Sequence, residues 1–282
     1  MAYTNALSIF KSNGTDEDEL RIAYNSFIDQ IQKRANYTLL NNTAMSGDPQ
    51  AGSVIVRRLM TSTVRPYGTA RGNYGGDKIS NNGVIINLDQ REEIVEEIEQ
   101  WDIDQYGLPG IIERRGQNLA LAIARTLDTA FFTEAVTEGS EETITSSAIE
   151  DKVEELIVSL ETLQNSNVDG VDREMMVLCL KPAVYGEMLT YVDGLANPSN
   201  GGVQLPTYHG VRVLSNFRQS KDAIIMTDGM AGAVALPVAI KDFRVKEETY
   251  SLSQVMAIYF YYGVQAVAED LIRYADFTEV SA

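Results

Sequence analysis

The chain has 282 residues, 44% of them hydrophobic and 22% charged, ordinary proportions for a folded protein with length for one large domain or two modest ones. Its net charge of −17 is not ordinary: so acidic a surface repels phosphate and excludes tight nonspecific binding to DNA or to an anionic membrane, both of which need a basic face. A single cysteine, Cys179, excludes an internal disulfide framework, and its place in Met176-Val177-Leu178-Cys179-Leu180 predicts a buried strand thiol.

Residues 1–52 read as an arm carrying one helix. Met1 to Asn5 lack a basic region followed by an apolar core, and no apolar run approaches about 18 residues, so a soluble protein made inside the cell is expected. Thr15 can cap the helix, with Asp16, Glu17 and Asp18 in a first turn where the helix dipole favours negative charge. Leu20, Tyr24, Phe27, Ile28 and Ile31 then form a narrow apolar stripe that needs a partner surface, and Lys33 and Arg34 sit at the favourable end. Asn41 to Gly52 is rich in Asn, Ser, Gly and Pro and reads as an exposed linker.

Residues 53–83 combine two strands with a basic, glycine-rich connection. Ser53 to Met60 and Lys78 to Leu88 have strand character, and Pro66, Gly68, Gly72, Gly75 and Gly76 lie between them. Arg57, Arg58, Arg65, Arg71 and Lys78 face only one acid, Asp77. Such a hairpin cannot bury enough apolar surface to order itself, so it is expected to lie on something acidic outside its own subunit. A type I′ turn at Asn82-Gly83 stays open as an alternative that would shorten the loop.

Next come the apolar strand Val84 to Leu88, a run dominated by carboxylates from Asp89 to Asp102, and from Pro109 a helical pattern. Ile112, Gly116, Leu119, Ile123, Leu127 and Ala130 recur at three- and four-residue steps, which places them on one stripe. Pro109 suits a first helical turn and Gly139 a stop, so Gly110 to Glu138 forms a spine roughly 40 Å long. Gly116 inside it costs about 1 kcal/mol relative to alanine, which implies a close approach at that point.

After the spine, helices and strands alternate. Ser147 to Leu163 is amphipathic through Ile149, Val153, Leu156, Ile157 and Leu160. Met175 to Leu180 reads as a strand buried on both faces, and Lys181-Pro182 opens a helix through Leu189. The loop Leu195 to Pro206 has the length of a functional or disordered segment. Strands at Val211 to Leu214, Ala223 to Met226 and Ala233 to Leu236 complete a compact α/β subdomain over 146–239. Residues 240–282 return to long strands, Phe243 to Tyr250, Val255 to Tyr262 and Val264 to Ala268, expected to pair with Val84 to Leu88 beside the spine.

The inventory is poor in catalytic chemistry. His209 is the lone histidine, in a loop, and cannot build a metal site with Cys179, because three or four convergent ligands are needed. No Gly-x-Ser-x-Gly turn accompanies it for a nucleophilic triad. In Gly68 to Lys78 the lysine is offset by Asp77 and followed by a strand, unlike a phosphate loop, leaving a nucleotide-binding enzyme as a remote alternative. The Asp89 to Asp104 carboxylates read as a solvated face, a cation or acid–base site, or the counter-surface to the basic hairpin. No catalytic residue, cofactor or metal is expected.

In this order the elements resemble the tailed-phage major capsid protein of the Hong Kong 97 fold. The Ser53 to Leu88 hairpin resembles that family's extended E-loop, and the Gly110 to Glu138 helix the spine of its P-domain; the run from Asn87 to Asp104, and Asp128 in the helix, are also similar. The resemblance implies an α+β fold: N-terminal arm 1–52, E-loop 53–83, P-domain 84–145 and 240–282, and axial A-domain 146–239. It implies a non-enzymatic shell subunit that joins copies of itself in hexamers and pentamers around a DNA genome, in the virion capsid, after assembly in the host bacterial cytoplasm. Partners would be a separate scaffolding protein, since 52 residues are too few for a large fused one, with a portal and a decoration protein. The hairpin would lie on a neighbour, so Arg57, Arg58, Arg65 and Arg71 are expected to meet Glu92, Glu93, Glu96 and Glu97 of another subunit. Some members crosslink a hairpin lysine to an asparagine; Lys78 is available, but no spacing identifies its partner. An encapsulin-like nanocompartment shell is the alternative within the same fold.

Overall fold

The computed structural model describes residues 29–31, 33–58, 82–106, 108–165, 167–195, 205–247 and 253–277. The stripe from Leu20 to Ile28, Arg65 and Arg71, the glycine-rich connection and most of the 195–206 loop therefore lie outside the described residues. The arm ends in α1 (Tyr37–Leu40), followed by β1 (Met45–Ser46), β2 (Ser53–Arg58), β3 (Asn82–Asn87) and β4 (Gln90–Ile98). Then come α2 (Gln100–Tyr106), the spine α3 (Leu108–Glu138), β5 (Ser140–Glu141), α4 (Ile149–Glu161), β6 (Met176–Leu180) and α5 (Pro182–Leu195). The remainder is β7 (Thr207–Tyr208), β8 (Val211–Ser215), β9 (Ala223–Thr227), β10 (Val234–Ala235), β11 (Val238–Glu247), β12 (Gln254–Tyr262), β13 (Gln265–Ala266) and β14 (Ile272–Ala275).

The spine is the expected helix, 31 residues long and so about 46 Å from end to end. It buries Leu119, Ala120, Ile123, Ala124, Leu127, Phe131, Phe132 and Ala135 in the main core. Gly139 follows its last residue, and a Cβ there would lie 2.5 Å from Ala135 O and 2.7 Å from the Ile272 side chain, so the position requires glycine. At Gly116 nothing among the described residues lies within 4 Å of a Cβ built there, so no close approach is made to it by them.

Helix α4 buries Val153, Leu156, Ile157 and Leu160, as its pattern requires. It lies with a six-stranded sheet of order β5-β14-β9-β6-β8-β7, in which the fully buried β6 is flanked by antiparallel β9 and parallel β8. The sheet draws β5 and β14 from outside 146–239, so the chain's last described strand closes a layer begun by its middle.

Two expectations about pairing give way. Val84 to Asn87 does not meet the return strands: β3 pairs antiparallel with β2 from Arg58↔Asn82 to Ser53↔Asn87. Gly83 and Asn82 are thus strand residues opposite Arg57 and Arg58, and no I′ turn forms there. The return strand β12 instead lies between β11 and the acidic β4, opposite it from Gln254↔Ile98 to Tyr262↔Gln90. Nor is Asn41 to Gly52 a free linker. Asn42 is buried and donates through its side chain to Gly232 O at 2.7 Å, its N–H reaches Val234 O at 3.0 Å, and Asn41 accepts from Leu236 N–H at 2.8 Å.

Glycines provide the sharpest test of this packing. At Gly263 a Cβ would stand well inside contact with the Asn87 carbonyl. Gly263→Ala should destabilise the unassembled subunit by about 1–3 kcal/mol or more, whereas Gly116→Ala should stabilise it by up to about 1 kcal/mol, both read from chemical denaturation.

Candidate functional site

The acidic stretch acquires two faces once it is a strand. Successive side chains of β4 point to opposite sides. Ile98 is buried and Glu92, Ile94 and Glu96 are half-buried on the inward side, while Arg91, Glu93, Val95 and Glu97 are exposed outward. Inward, Glu92 accepts from the Tyr262 hydroxyl at 3.0 Å, and Glu96 pairs with Arg115 of the spine at 3.1 Å. Burial and the Glu92 carboxylate push the Tyr262 hydroxyl up to about 12. Outward, Glu97 accepts from Ser253 Oγ, and Val95 remains 52% exposed between Glu93 and Glu97. As β4 borders its sheet, these carboxylates also discourage edge-to-edge pairing.

The hairpin is two-faced in the same way. Val54, Val56, Ile86 and Leu88 are buried in two small clusters with Ala235, Ala239 and Val267. Arg57 and the directly opposed pair Ile55 and Ile85 face outward, Ile85 being 58% exposed. Arg58 turns inward and binds Asp270 of its own chain at 2.7 Å. The structure therefore divides the predicted contact residues: Arg57 and Glu93 are presented outward, Glu97 is outward but bonded to Ser253, and Arg58, Glu92 and Glu96 are engaged within the subunit.

Elsewhere the titratable groups serve structure. Cys179 is fully buried, and burial pushes its thiol up to about 12, far from a thiolate at neutral pH. His209, in a left-handed conformation at φ 47°, stacks on Tyr208 and places Nδ1 2.8 Å from Glu154 Oε2. Arg173 bonds the same Glu154 at 2.6 Å and Glu161 at 2.8 Å. Burial alone would raise the Glu154 carboxyl, but the hydrogen bonds from Arg173 and His209 outweigh it and hold the group low. Among the described residues no group of three or more His, Cys, Asp or Glu could hold a metal ion, and no helix is long and apolar enough to cross a membrane.

Three solved structures resemble the chain over most of its length. One from Mycobacterium phage Che8 is 20% identical with a TM-score of 0.55, covering 80% of this chain and 85% of its own. The capsid of cyanophage P-SCSP1u is 12% identical at a TM-score of 0.56, covering 86% and 88%. The virus-like particle from Pyrococcus furiosus is 13% identical at 0.57, covering 89% and 96%. The chain has the Hong Kong 97 capsid fold. No family model and no curated protein sequence matches it, so the likeness is one of structure.

Within this fold the internal anchors are Asp128, singled out by the resemblance but without a partner, and Arg218 and Asp270, which the sequence reading missed. No local pattern marks them, since each acts on a segment far away in the chain. Asp128 is fully buried and accepts from Tyr37 N–H at 2.9 Å and from the Arg218 guanidinium. Asp270 is held below its ordinary range: burial would raise it, but hydrogen bonds from Arg58 and Asn165 prevail. A carboxyl lowered by folding contributes stability above its unfolded pKa of 3.8, and the contribution is lost as pH falls through the folded value. Denaturation of wild type and Asp270→Asn should therefore show a stability gap at pH 7 that narrows below about pH 4.

Proposed function

We propose that this chain is the major capsid protein of a tailed double-stranded DNA bacteriophage, assembling with copies of itself into the hexamers and pentamers of an icosahedral shell. The observation that carries this reading is the likeness to a phage capsid over 86% of the chain. The charge of −17 supports it, because an acidic wall contains DNA without adsorbing it. In this reading the hairpin is the E-loop, the spine with its three-stranded sheet the P-domain and the six-stranded sheet the A-domain. A separate scaffolding protein, a portal and a decoration protein are the accompanying partners, and the virion capsid, assembled in the host bacterial cytoplasm, is the location.

The proposed contact between subunits joins two outward faces. Arg57, Ile55 and Ile85 of one copy meet Glu93, Val95 and Glu97 of its neighbour, so each side offers apolar area flanked by complementary charge. Arg65 and Arg71 would add cations to the same side. A second reading, an encapsulin-like nanocompartment shell, is favoured by the likeness to the Pyrococcus furiosus particle.

Negative-stain microscopy of the purified protein tests the shell itself: closed icosahedral particles or capsomers are expected, and a wild type that stays monomeric would refute it. Glu93→Lys with Glu97→Lys should lower particle yield about tenfold, and adding Arg57→Glu should recover part of it. Neighbouring terminase and portal genes would favour the phage, and a gene for a packaged enzyme the nanocompartment.

A further inference from the structure

We propose that Asp270 is a positioning residue for assembly, which fixes the angle of the hairpin on its own subunit by clamping the hairpin's outermost described rung. The inference rests on the shell-subunit reading above. Arg58 and Asn82 are the last described pair of β2 and β3, at the end of the hairpin that residues 59–81 connect in sequence. At the other end the hairpin is held by Leu88 N–H on Gly52 O at 2.9 Å and by the close seat of Gly263 on Asn87. Its inward face is closed by small apolar clusters, and such packing is non-directional.

Orientation at the outer described rung comes from a hydrogen-bonded ion pair. Arg58 Nη2 donates to Asp270 Oδ2 at 2.8 Å and Nη1 lies 2.7 Å from Oδ1, an ion pair held by one directed hydrogen bond. The two side chains are only 19% and 21% exposed, so the pair is less screened than one on open surface. Asp270 is aimed in its turn. Asn165 Nδ2 donates to Oδ2 at 2.7 Å, while its own Oδ1 accepts from the N–H groups of Asn167 and Val168 at 2.8 Å, which sets the amide's orientation. Asn165 follows α4, and Asp270 sits in the single 3-10 turn Glu269–Leu271 that enters β14. The hairpin is thereby referenced to both the helix layer and the six-stranded sheet.

Asp270→Asn keeps the shape and removes the charge. In hydrogen-exchange mass spectrometry of the unassembled subunit, β2 and β3 should exchange about tenfold faster while β6 and β9 stay unchanged. Unaltered exchange in the hairpin would overturn the proposal. In assembly, Arg58→Asp and Asp270→Arg should each lower particle yield about tenfold, and the double exchange of charge should restore it to within about threefold. Normal particles from Asp270→Arg, or no recovery in the double variant, would also overturn it. If a single variant fails to fold, the exchange data on Asp270→Asn decide. A wild type that forms no particles would defeat the shell reading, whereas the exchange measurement would still judge the clamp.

Discussion

The spine helix carries a carboxylate that solvent cannot reach. Burial pushes the Asp128 carboxyl above its ordinary range, against the pull of the Tyr37 and Asn36 N–H groups and of Arg218. A charge in that position persists only if donors are brought to it, and both groups of donors are remote, Tyr37 by 91 positions and Arg218 by 90. The root of the arm and the loop after β8 must therefore arrive at the same point on the helix. Asn36 and Asn216, bonded to each other at 3.4 Å, close the same junction from its rim. Losing one partner of such a pair costs about 3–5 kcal/mol, because the other charge stays buried. Three segments that packing alone would leave free to slide are held in one arrangement.

From that junction outward, the fold keeps two sets of polar groups apart. Asp128 with Arg218, Asp270 with Arg58, and Glu154 with Arg173 lie where layers meet within the subunit. Arg57, Glu93 and Glu97 lie on outward faces, with Glu97 also accepting from Ser253 Oγ. Pleating makes the division sharp, since a register shift of one residue in β4 would bury Glu93 and Glu97 and expose Ile94 and Ile98. The pairing of β12 with β4, anchored by Ile258 opposite Ile94, is what forbids that shift.

Much of this was legible in the sequence where one period dominated. The 3.6-residue stripes of α3 and α4 and the unbroken apolar run of β6 placed those elements closely, because burial of one face or of both leaves a plain pattern. The fold class followed from their order. The failures share a cause as well. In β4, Ile94 and Ile98 lie four residues apart, a spacing that helix and strand satisfy equally, and four glutamates lowered the apparent strand propensity. Asn41 to Gly52 has loop composition, yet its asparagine amides satisfy backbone groups of residues 232–236, a use of Asn that composition cannot separate from solvation. Gly116 invited a packing explanation for which the described residues of its own chain supply no partner.

The candidate contact was legible only as a class of charge. Opposite signs on adjacent stretches pointed to mutual attraction, but sequence cannot say whether such charges meet within one copy or between two. The structure separates them by direction: Arg58 reaches Asp270 because strand alternation turns it inward, and Arg57 cannot follow because alternation turns it out. In the proposed shell one arginine, Arg58, fixes the hairpin to its own subunit and the second, Arg57, is offered to another. A hairpin without the first would present the second at no fixed angle, and a contact repeated around a closed shell depends on angle more than on strength.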